Sequence, residues 1–364
     1  MRVAVVPGDG IGPEIIEQGI RVLDAAAERF ALPLELVRIS AGAKLYARTG
    51  EVISEADYRT TVEADAIYVG ALGLPEVRFA DGTEVQAALM VRWRRDLDLY
   101  ANVRPLRSFA KVPSFYAEPR NVDVMVVREG TEGLYAASGG GAMIGDRLVA
   151  DAMVITREGT ERVCRKAFAL ARKSPPRNGL RPRVTCLDKA NILRSFALFR
   201  RTFERVASEF PDVESETLYA DAASILMTQH PERYHVMVME NFLGDIFSDL
   251  AAAYVGGLGL APSGEVGDRH GMFQPAHGSA PTLAGTDAAN PIATVLSAGM
   301  LLEYLGDRGG GAQFAAAARA IDDAVEAALD DPRNHTRDLG GSATTRNCGS
   351  AIVAALAGAG VAAR

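Results

Sequence analysis

Asp245 and Asp249 stand four residues apart in Glu240-Asn241-Phe242-Leu243-Gly244-Asp245-Ile246-Phe247-Ser248-Asp249-Leu250, directly after an apolar, strand-like run. Residues at that spacing share a helix face, so both carboxylates can point at one hard cation. Most acidic pairs of this kind are solvated helix faces. Asp221 changes the balance, because it lies in the otherwise apolar stretch Tyr219-Ala220-Asp221-Ala222-Ala223. Three carboxylates suit Mg²⁺ or Mn²⁺, with substrate oxygens filling the remaining positions.

A cluster of cations complements them. Arg92, Arg94, Arg95, Arg104 and Arg107 fall within one short stretch, and Arg128 follows in Val126-Val127-Arg128-Glu129-Gly130-Thr131-Glu132-Gly133. Arg92, Arg95 and Arg107 are expected on solvated faces. Arg104 differs, since Pro105 forces the segment Ala101-Asn102-Val103-Arg104-Pro105 to be extended. A guanidinium fixed on such an element grips a carboxylate with two parallel hydrogen bonds. The combined chemistry is recognition of a small anion beside a divalent cation.

The elements that must position these groups follow from the apolar pattern. Runs with β-branched character at 3–6, 34–39, 66–69, 122–127, 184–187 and 235–239 predict strands. Between them lie stretches of helical period, such as Pro13 to Phe30 with Ile15, Ile16, Ile20, Leu23 and Ala27 as the expected buried stripe. This alternation predicts an α/β fold with a mainly parallel sheet. The turn Gly8-Asp9-Gly10-Ile11-Gly12-Pro13 looks like a dinucleotide fingerprint, but its third glycine comes one residue early and proline follows, so a standard Rossmann site is not expected. Gly309-Gly310-Gly311 predicts a surface loop before a final helical region.

Composition bounds the function. With 364 residues and 48% apolar content, the chain can bury a large core and favours two domains or one large α/β unit. Its net charge of −7 argues against nucleic acid as a partner. No apolar window is long enough to cross a membrane. Three cysteines (Cys164, Cys186, Cys348) without ligand or disulfide spacing fit a reducing cytoplasm.

Four motifs in order carry a family resemblance: Pro7-Gly8-Asp9-Gly10-Ile11-Gly12-Pro13-Glu14, Leu187-Asp188-Lys189-Ala190-Asn191-Ile192-Leu193, the Asp245/Asp249 segment, and His277-Gly278-Ser279-Ala280-Pro281 with Ala289-Asn290-Pro291. Over essentially its whole length the chain resembles the β-decarboxylating dehydrogenases acting on isocitrate, isopropylmalate, homoisocitrate and tartrate or D-malate. The resemblance implies the isopropylmalate-dehydrogenase-like fold, a mainly parallel sheet in two domains with helices on both faces. It places a large cofactor-binding domain at 1–98 plus 253–364 and a small domain at 99–252 that carries the dimer interface, the metal and the catalytic residues.

Oxidation of a 2-hydroxy acid, hydride transfer to a nicotinamide cofactor and loss of the neighbouring carboxylate as CO₂ are the implied reaction. Asp221, Asp245 and Asp249 match the metal carboxylates, with Asp221 contributed by the second subunit of a homodimer whose active sites are shared. Lys189 matches the base and Tyr135 the acid; Asn191 supports substrate or nicotinamide. Arg94, Arg104 and Arg128 match the arginines that hold the carboxylates of the malate unit. The loop His277, Gly278, Ser279, Ala280 matches the cofactor site, with Asn290 reaching the adenine.

Two departures matter. Gln274 stands where the family usually has Glu, and Thr282 where NAD-dependent members usually place Asp. NAD is the expected cofactor, with NADP left open. Specificity turns on the group carried beside the departing carboxylate, read by the helix before Arg94. Ala87, Ala88, Met90 and Val91 on that stretch favour an alkyl group, because an unpartnered carboxylate buried there costs several kcal/mol. Isopropylmalate or a similar alkylmalate is therefore expected. The alternatives are homoisocitrate or isocitrate, if Arg92 turns into the site; tartrate or D-malate; and a non-catalytic regulatory subunit, disfavoured because Tyr135, Lys189 and the three aspartates are present.

Overall fold

Each of the six apolar runs carries a strand of one ten-stranded sheet. The computed structural model, which describes residues 1–137, 141–177, 179 and 181–358, orders the sheet as Glu35–Arg38 (β2), Arg2–Gly8 (β1), Ala66–Ala71 (β3), Gly271–Pro275 (β12), Pro262–Val266 (β11), Ala101–Arg107 (β4), Asp123–Glu129 (β5), Val236–Met239 (β10), Arg183–Asp188 (β8) and Glu214–Tyr219 (β9). A separate hairpin pairs Ala142–Ile144 (β6) with Leu148–Ala150 (β7). The flanks are parallel, and three antiparallel ladders, β12 with β11, β11 with β4 and β4 with β5, close the centre.

Side chains alternate across a strand, so the sheet buries two different surfaces. On the back face Val3, Val5, Tyr68, Val103, Val127, Val184 and Val236 pack in one cluster with the helices Gly12–Phe30, Arg157–Lys173, Arg194–Ala207, Ile292–Leu305 and Ala312–Leu329. On the front face Ala4, Val6, Ile67 and Val69 meet the helices Glu55–Glu63 and Val85–Asp96. Further along that face Val124, Val126, Met237 and Met239 meet Ala220–Gln229 and Asn241–Tyr254. No described helix is long and apolar enough to cross a membrane.

The first helix buries Ile15, Ile16, Gly19, Val22, Leu23 and Ala26, while Ile20 and Ala27 of the expected stripe are only half-buried. Gly19 explains the rotation. A Cβ there would lie 1.9 Å from the Tyr68 hydroxyl, so the helix turns its smallest residue toward the sheet. The glycine-rich turn before it wraps the fully buried Asp9, whose carboxylate accepts hydrogen bonds from the backbone N–H groups of Ala43 (2.8 Å), Lys44 (2.9 Å) and Gly73 (2.8 Å). Near the other end, Gly306–Gly310 closes one wide helical turn where a loop was expected, and Gly309 breaks it at φ 100°.

Candidate active site

Register brings the site residues into one row on the front face. Arg128 of β5 pairs with Asn102 of β4, which pairs in turn with Glu265 of β11, and Arg104 stands two residues along β4 on the same face. The helix Asn241–Tyr254 lies directly over this row. Gly244 permits that approach, since a Cβ there would sit 2.5 Å from the Cβ of Arg128. Glu240 caps the helix by accepting from the Leu243 N–H (3.2 Å) and also holds the Leu134 N–H (2.9 Å), which fixes the segment carrying Tyr135.

The result is a dense lattice of charge. Arg128 Nε donates to Asn241 Oδ1 at 2.8 Å, its Nη1 donates to Asp245, and the Tyr135 hydroxyl donates to the other oxygen of Asp245 at 2.9 Å. Arg104 donates from Nε to Asn102 Oδ1 (3.0 Å) and from Nη1 to Ser248 Oγ (2.7 Å) and Asp249 Oδ1 (3.0 Å). Arg94, on the last turn of Val85–Asp96, grips the fully buried Glu265 through Nε (2.6 Å) and Nη2 (2.8 Å). Gln274 Nε2 donates to the same carboxylate at 3.1 Å.

Burial and repulsion from Arg94 draw the Arg128 guanidinium down to about 10, and burial lowers Arg104 as well. Asp245 sits below the ordinary carboxylate value, because Arg128 and Arg104 outweigh the burial that opposes them. Burial wins at Asp249 and raises it. Burial and the bond to Asp245 raise the Tyr135 hydroxyl, which keeps it a proton donor at neutral pH.

Six expected residues, Arg94, Arg104, Arg128, Tyr135, Asp245 and Asp249, thus converge. Lys189 and Asp221 form a separate pair, Nζ to Oδ1 2.7 Å, with the Asp221 side chain 69% exposed and its pKa lowered by that bond. Among the described residues no three His, Cys, Asp or Glu side chains gather closely enough to hold a cation. Within one chain Asp221 therefore does not join Asp245 and Asp249. Asn191 is exposed beside Lys189. Val91 and Ala87 are exposed on the helix face that leads to Arg94, whereas Leu89 and Trp93 face the core.

Of the arginines expected on solvated faces, Arg92 keeps that place and Arg107 needs correction. Arg92 is bound by Glu55 at 2.9 Å and lies over the Tyr58 ring at 3.5 Å, so it points along the outside of its helix instead of into the site. Arg107 is not solvated; with 14% of its side chain exposed, it pairs with Asp322 (2.8 Å) and Glu326 (3.2 Å) on the back face. Arg95 is exposed as expected.

The loop proposed for the cofactor docks on the glycine-rich turn. The Ile11 N–H donates to Ser279 O at 2.8 Å, and a Cβ on Gly10 would come within 1.9 Å of that oxygen. Ser279 Oγ donates to Gly73 O, and His277 Nδ1 meets Gly278 O at 2.9 Å. Burial keeps His277 below its ordinary value and therefore neutral. Gly278 is exposed, with nothing near the position a Cβ would take, and Thr282 is exposed beside it. Asn290 donates to Asp338 Oδ2 and accepts from the Ile292 N–H, both at 2.9 Å, so its amide ties this loop to the C-terminal segment.

These groups fit the cofactors that the sequence implies. Asp245 and Asp249 offer hard oxygen donors one turn apart, with no partner on Asp249 Oδ2 among the described residues, an arrangement suited to Mg²⁺ or Mn²⁺. The open ledge at Gly278 gives backbone access for a flat ligand. Sequence reasoning missed Glu265, Asn102, Ser248 and Asp9. Glu265 left one signal, an acidic residue in the Pro-Ser-Gly-Glu-Val strand at the sheet centre, where an unpaired charge is not tolerated.

Comparison with known proteins finds relatives along nearly the whole chain. The family model described as isocitrate/isopropylmalate dehydrogenase matches residues 2–353. A 3-isopropylmalate/3-methylmalate dehydrogenase of Methanocaldococcus jannaschii is 40% identical over 94% of this chain and 95% of its own length. A 3-isopropylmalate dehydrogenase of Thermobifida fusca is 39% identical over 95% of each. Among solved structures, isocitrate dehydrogenase from Methylococcus capsulatus aligns with a TM-score of 0.85 and 33% identity, covering 98% of this chain and 99% of that one. A β-decarboxylating dehydrogenase from Thermococcus kodakarensis aligns with a TM-score of 0.77 and 34% identity, covering 98% and 96%.

Proposed function

Because the chain belongs to the isocitrate/isopropylmalate dehydrogenase family, we propose that it oxidises and decarboxylates a 2-hydroxy-3-carboxy acid bearing an alkyl group, 3-isopropylmalate or a close analogue. One observation carries the choice of substrate. Glu265 holds two nitrogens of Arg94 inside the sheet, Arg92 is held outside by Glu55, and the helix offers Ala87, Ala88 and Val91 between them. A third carboxylate at that position would meet no unmatched cation, and its desolvation would go uncompensated. The alkyl group of an alkylmalate would lose nothing there.

In this reading Arg104 and Arg128 hold the two malate carboxylates, and Arg94 contributes its remaining Nη1. Tyr135, kept protonated, delivers a proton to the carbon that loses CO₂. Lys189 is ion-paired to Asp221 and therefore travels with it, so the second copy of the chain that supplies one supplies both. The hairpin of β6 and β7 supports such a dimer, since Met143, Ile144, Leu148 and Val149 are 48–75% exposed and form an apolar arm without cover in the monomer. A divalent cation bound by Asp245, Asp249 and the second copy's equivalent of Asp221 would polarise the substrate's oxygens through both stages.

NAD is the preferred hydride acceptor, and Thr282, which carries no negative charge to repel a 2′-phosphate, leaves NADP open. The large domain comprises 1–98 and 253–364, whose final residues 359–364 lie outside the described residues, and the small domain 99–252. The enzyme is assigned to the cytoplasm, and the intact Tyr135, Lys189 and aspartates support a catalytic over a regulatory subunit. The test is a panel of isopropylmalate, isocitrate, homoisocitrate, tartrate and D-malate assayed for NADH and NADPH formation with Mn²⁺. Isopropylmalate with NAD is expected to be fastest; faster turnover of a tricarboxylic substrate would overturn the reading.

A further inference from the structure

Lys189 and Asp221 are carried by the ends of two neighbouring parallel strands. β8 ends at Asp188 and β9 at Tyr219, and the register sets those two residues side by side. Lys189 directly follows the first, and Asp221 stands two positions after the second, on the opening turn of the helix Ala220–Gln229. In the described sheet β9 is the last strand and has only β8 for a neighbour. An edge strand is held from one side only, and its exposed end belongs to the least stable part of a fold.

One residue ties both ends together. Arg200, on the helix Arg194–Ala207, donates from Nε to Asp188 Oδ2 (2.8 Å) and from Nη2 to Asp188 Oδ1 (2.9 Å). Its guanidinium also lies over the Tyr219 ring, 4.6 Å from the centroid. The planar fork grips β8 with its edge and β9 with its face, a combination beyond the reach of a point charge. Phe196, Phe199 and Phe203 bury the same helix in the core, so the arm itself is fixed. Asp188, fully buried, also accepts from the Ala190 N–H (2.8 Å), and the Ile192 and Leu193 N–H groups donate to Lys189 O (3.1 and 3.0 Å). The backbone of Lys189 is thereby set from both sides. At the far end of the same two strands the register partners Arg183 and Glu214 meet in a half-exposed ion pair at 2.6 Å, without a stacked ring. Pairing of the strands needs no more than that.

We infer that Arg200 is a positioning residue for the reaction, acting through Asp188 and Tyr219 to hold Lys189 and Asp221 at their 2.7 Å contact. The inference rests on the reading of Lys189 as the base. Arg200's own contacts fall one residue before Lys189 and two before Asp221, so it works on their placement alone. Misplacing a proton-transfer group slows the chemical step, whereas the grip of Arg104 and Arg128 on the substrate is left intact.

Steady-state kinetics of the holoenzyme with its fastest hydroxy acid, NAD and Mn²⁺ test this. Arg200→Lys keeps a cation beside the buried Asp188 and should fold, yet it should lower kcat about tenfold or more with KM within about threefold of wild type. Tyr219→Ala orphans no charge and should do the same, and Tyr219→Phe, which keeps the ring, should restore most of the loss. Arg183→Lys makes the same substitution at the far end of the ladder and should leave kcat within about threefold. A second readout needs no turnover. Acetylation of Lys189 by N-hydroxysuccinimidyl acetate, followed on its peptide by mass spectrometry, should quicken about threefold or more in Arg200→Lys and not in Arg183→Lys, because the loosened amine spends more time away from Asp221. Equal losses of kcat in Arg200→Lys and Arg183→Lys would overturn the inference. So would unchanged labelling of Lys189, or a kcat unmoved by both Arg200→Lys and Tyr219→Ala while Lys189→Met cripples turnover. Near-normal turnover in Lys189→Met is the separate failure of the reading of Lys189 as the base, and it takes the inference with it.

Discussion

On the front of β4 and β5, Arg104 and Arg128 are buried and bound to carboxylates of a single helix; on the back of the same β4, Arg107 is tied to carboxylates at a half-exposed rim. The chemistry of the pairs is alike and their surroundings differ. Front-face arginines are fixed by neutral partners as well, Asn102, Asn241 and Ser248, so each guanidinium keeps its orientation when a ligand competes for its aspartate. At the back the ion pairs hold the sheet to the helix Ala312–Leu329 and serve the fold. A buried charge with several fixed donors becomes a site, whereas a rim charge with only ionic partners becomes a strap.

The contrast is broken most severely at the front. Lys189→Met should lower kcat by about 10²- to 10⁴-fold while leaving the melting temperature nearly unchanged, since its partner Asp221 is mostly exposed. Steady-state rates and calorimetry on the same preparation check this; near-normal turnover would return Lys189 to an ordinary surface pair. Asp245→Asn should cost about 10²-fold or more in kcat/KM and raise the Mn²⁺ concentration needed for half-maximal rate, because it removes a cation donor and the shared anchor of Arg128 and Tyr135. An unchanged Mn²⁺ requirement would remove Asp245 from the cation site.

At the back the same kind of substitution should act on stability. Arg107→Met loses two ion pairs whose acids remain half-exposed, and should cost about 1–2 kcal/mol, read by denaturant unfolding, with kcat within about threefold of wild type. A large loss of kcat there would mean that the two faces are coupled through β4 and that the strap governs the front site.

The front site was legible in the sequence where chemistry and spacing coincide. The i,i+4 aspartates, Pro105 after Arg104, and the strand-borne Arg128 each stated their role locally, and the structure draws them together. The strands β1, β3, β8 and β10 were legible because they are largely buried on both faces and predominantly apolar. β11, β12 and β9 were not, since the first two carry Pro, Gly and a polar residue and the third is a polar edge strand. Glu265 escaped for a different reason. Its meaning comes from a cross-strand neighbour and from Arg94, which lies 171 positions away in the chain. Arg107 was misjudged for want of the same long-range information: Asp322 and Glu326 come from distant segments.

Glu265 is thus the residue on which the account of substrate choice rests. The direct measurement is the ratio of kcat/KM for isopropylmalate to that for isocitrate, in the wild type and in Glu265→Gln, which keeps the shape and removes the charge that neutralises Arg94. The wild-type ratio should exceed about 10², and Glu265→Gln should lower it about tenfold or more by freeing a cation for the third carboxylate. A ratio that stays constant in the variant, whatever its absolute rates, would contradict the claim that Glu265 closes this site to tricarboxylic substrates.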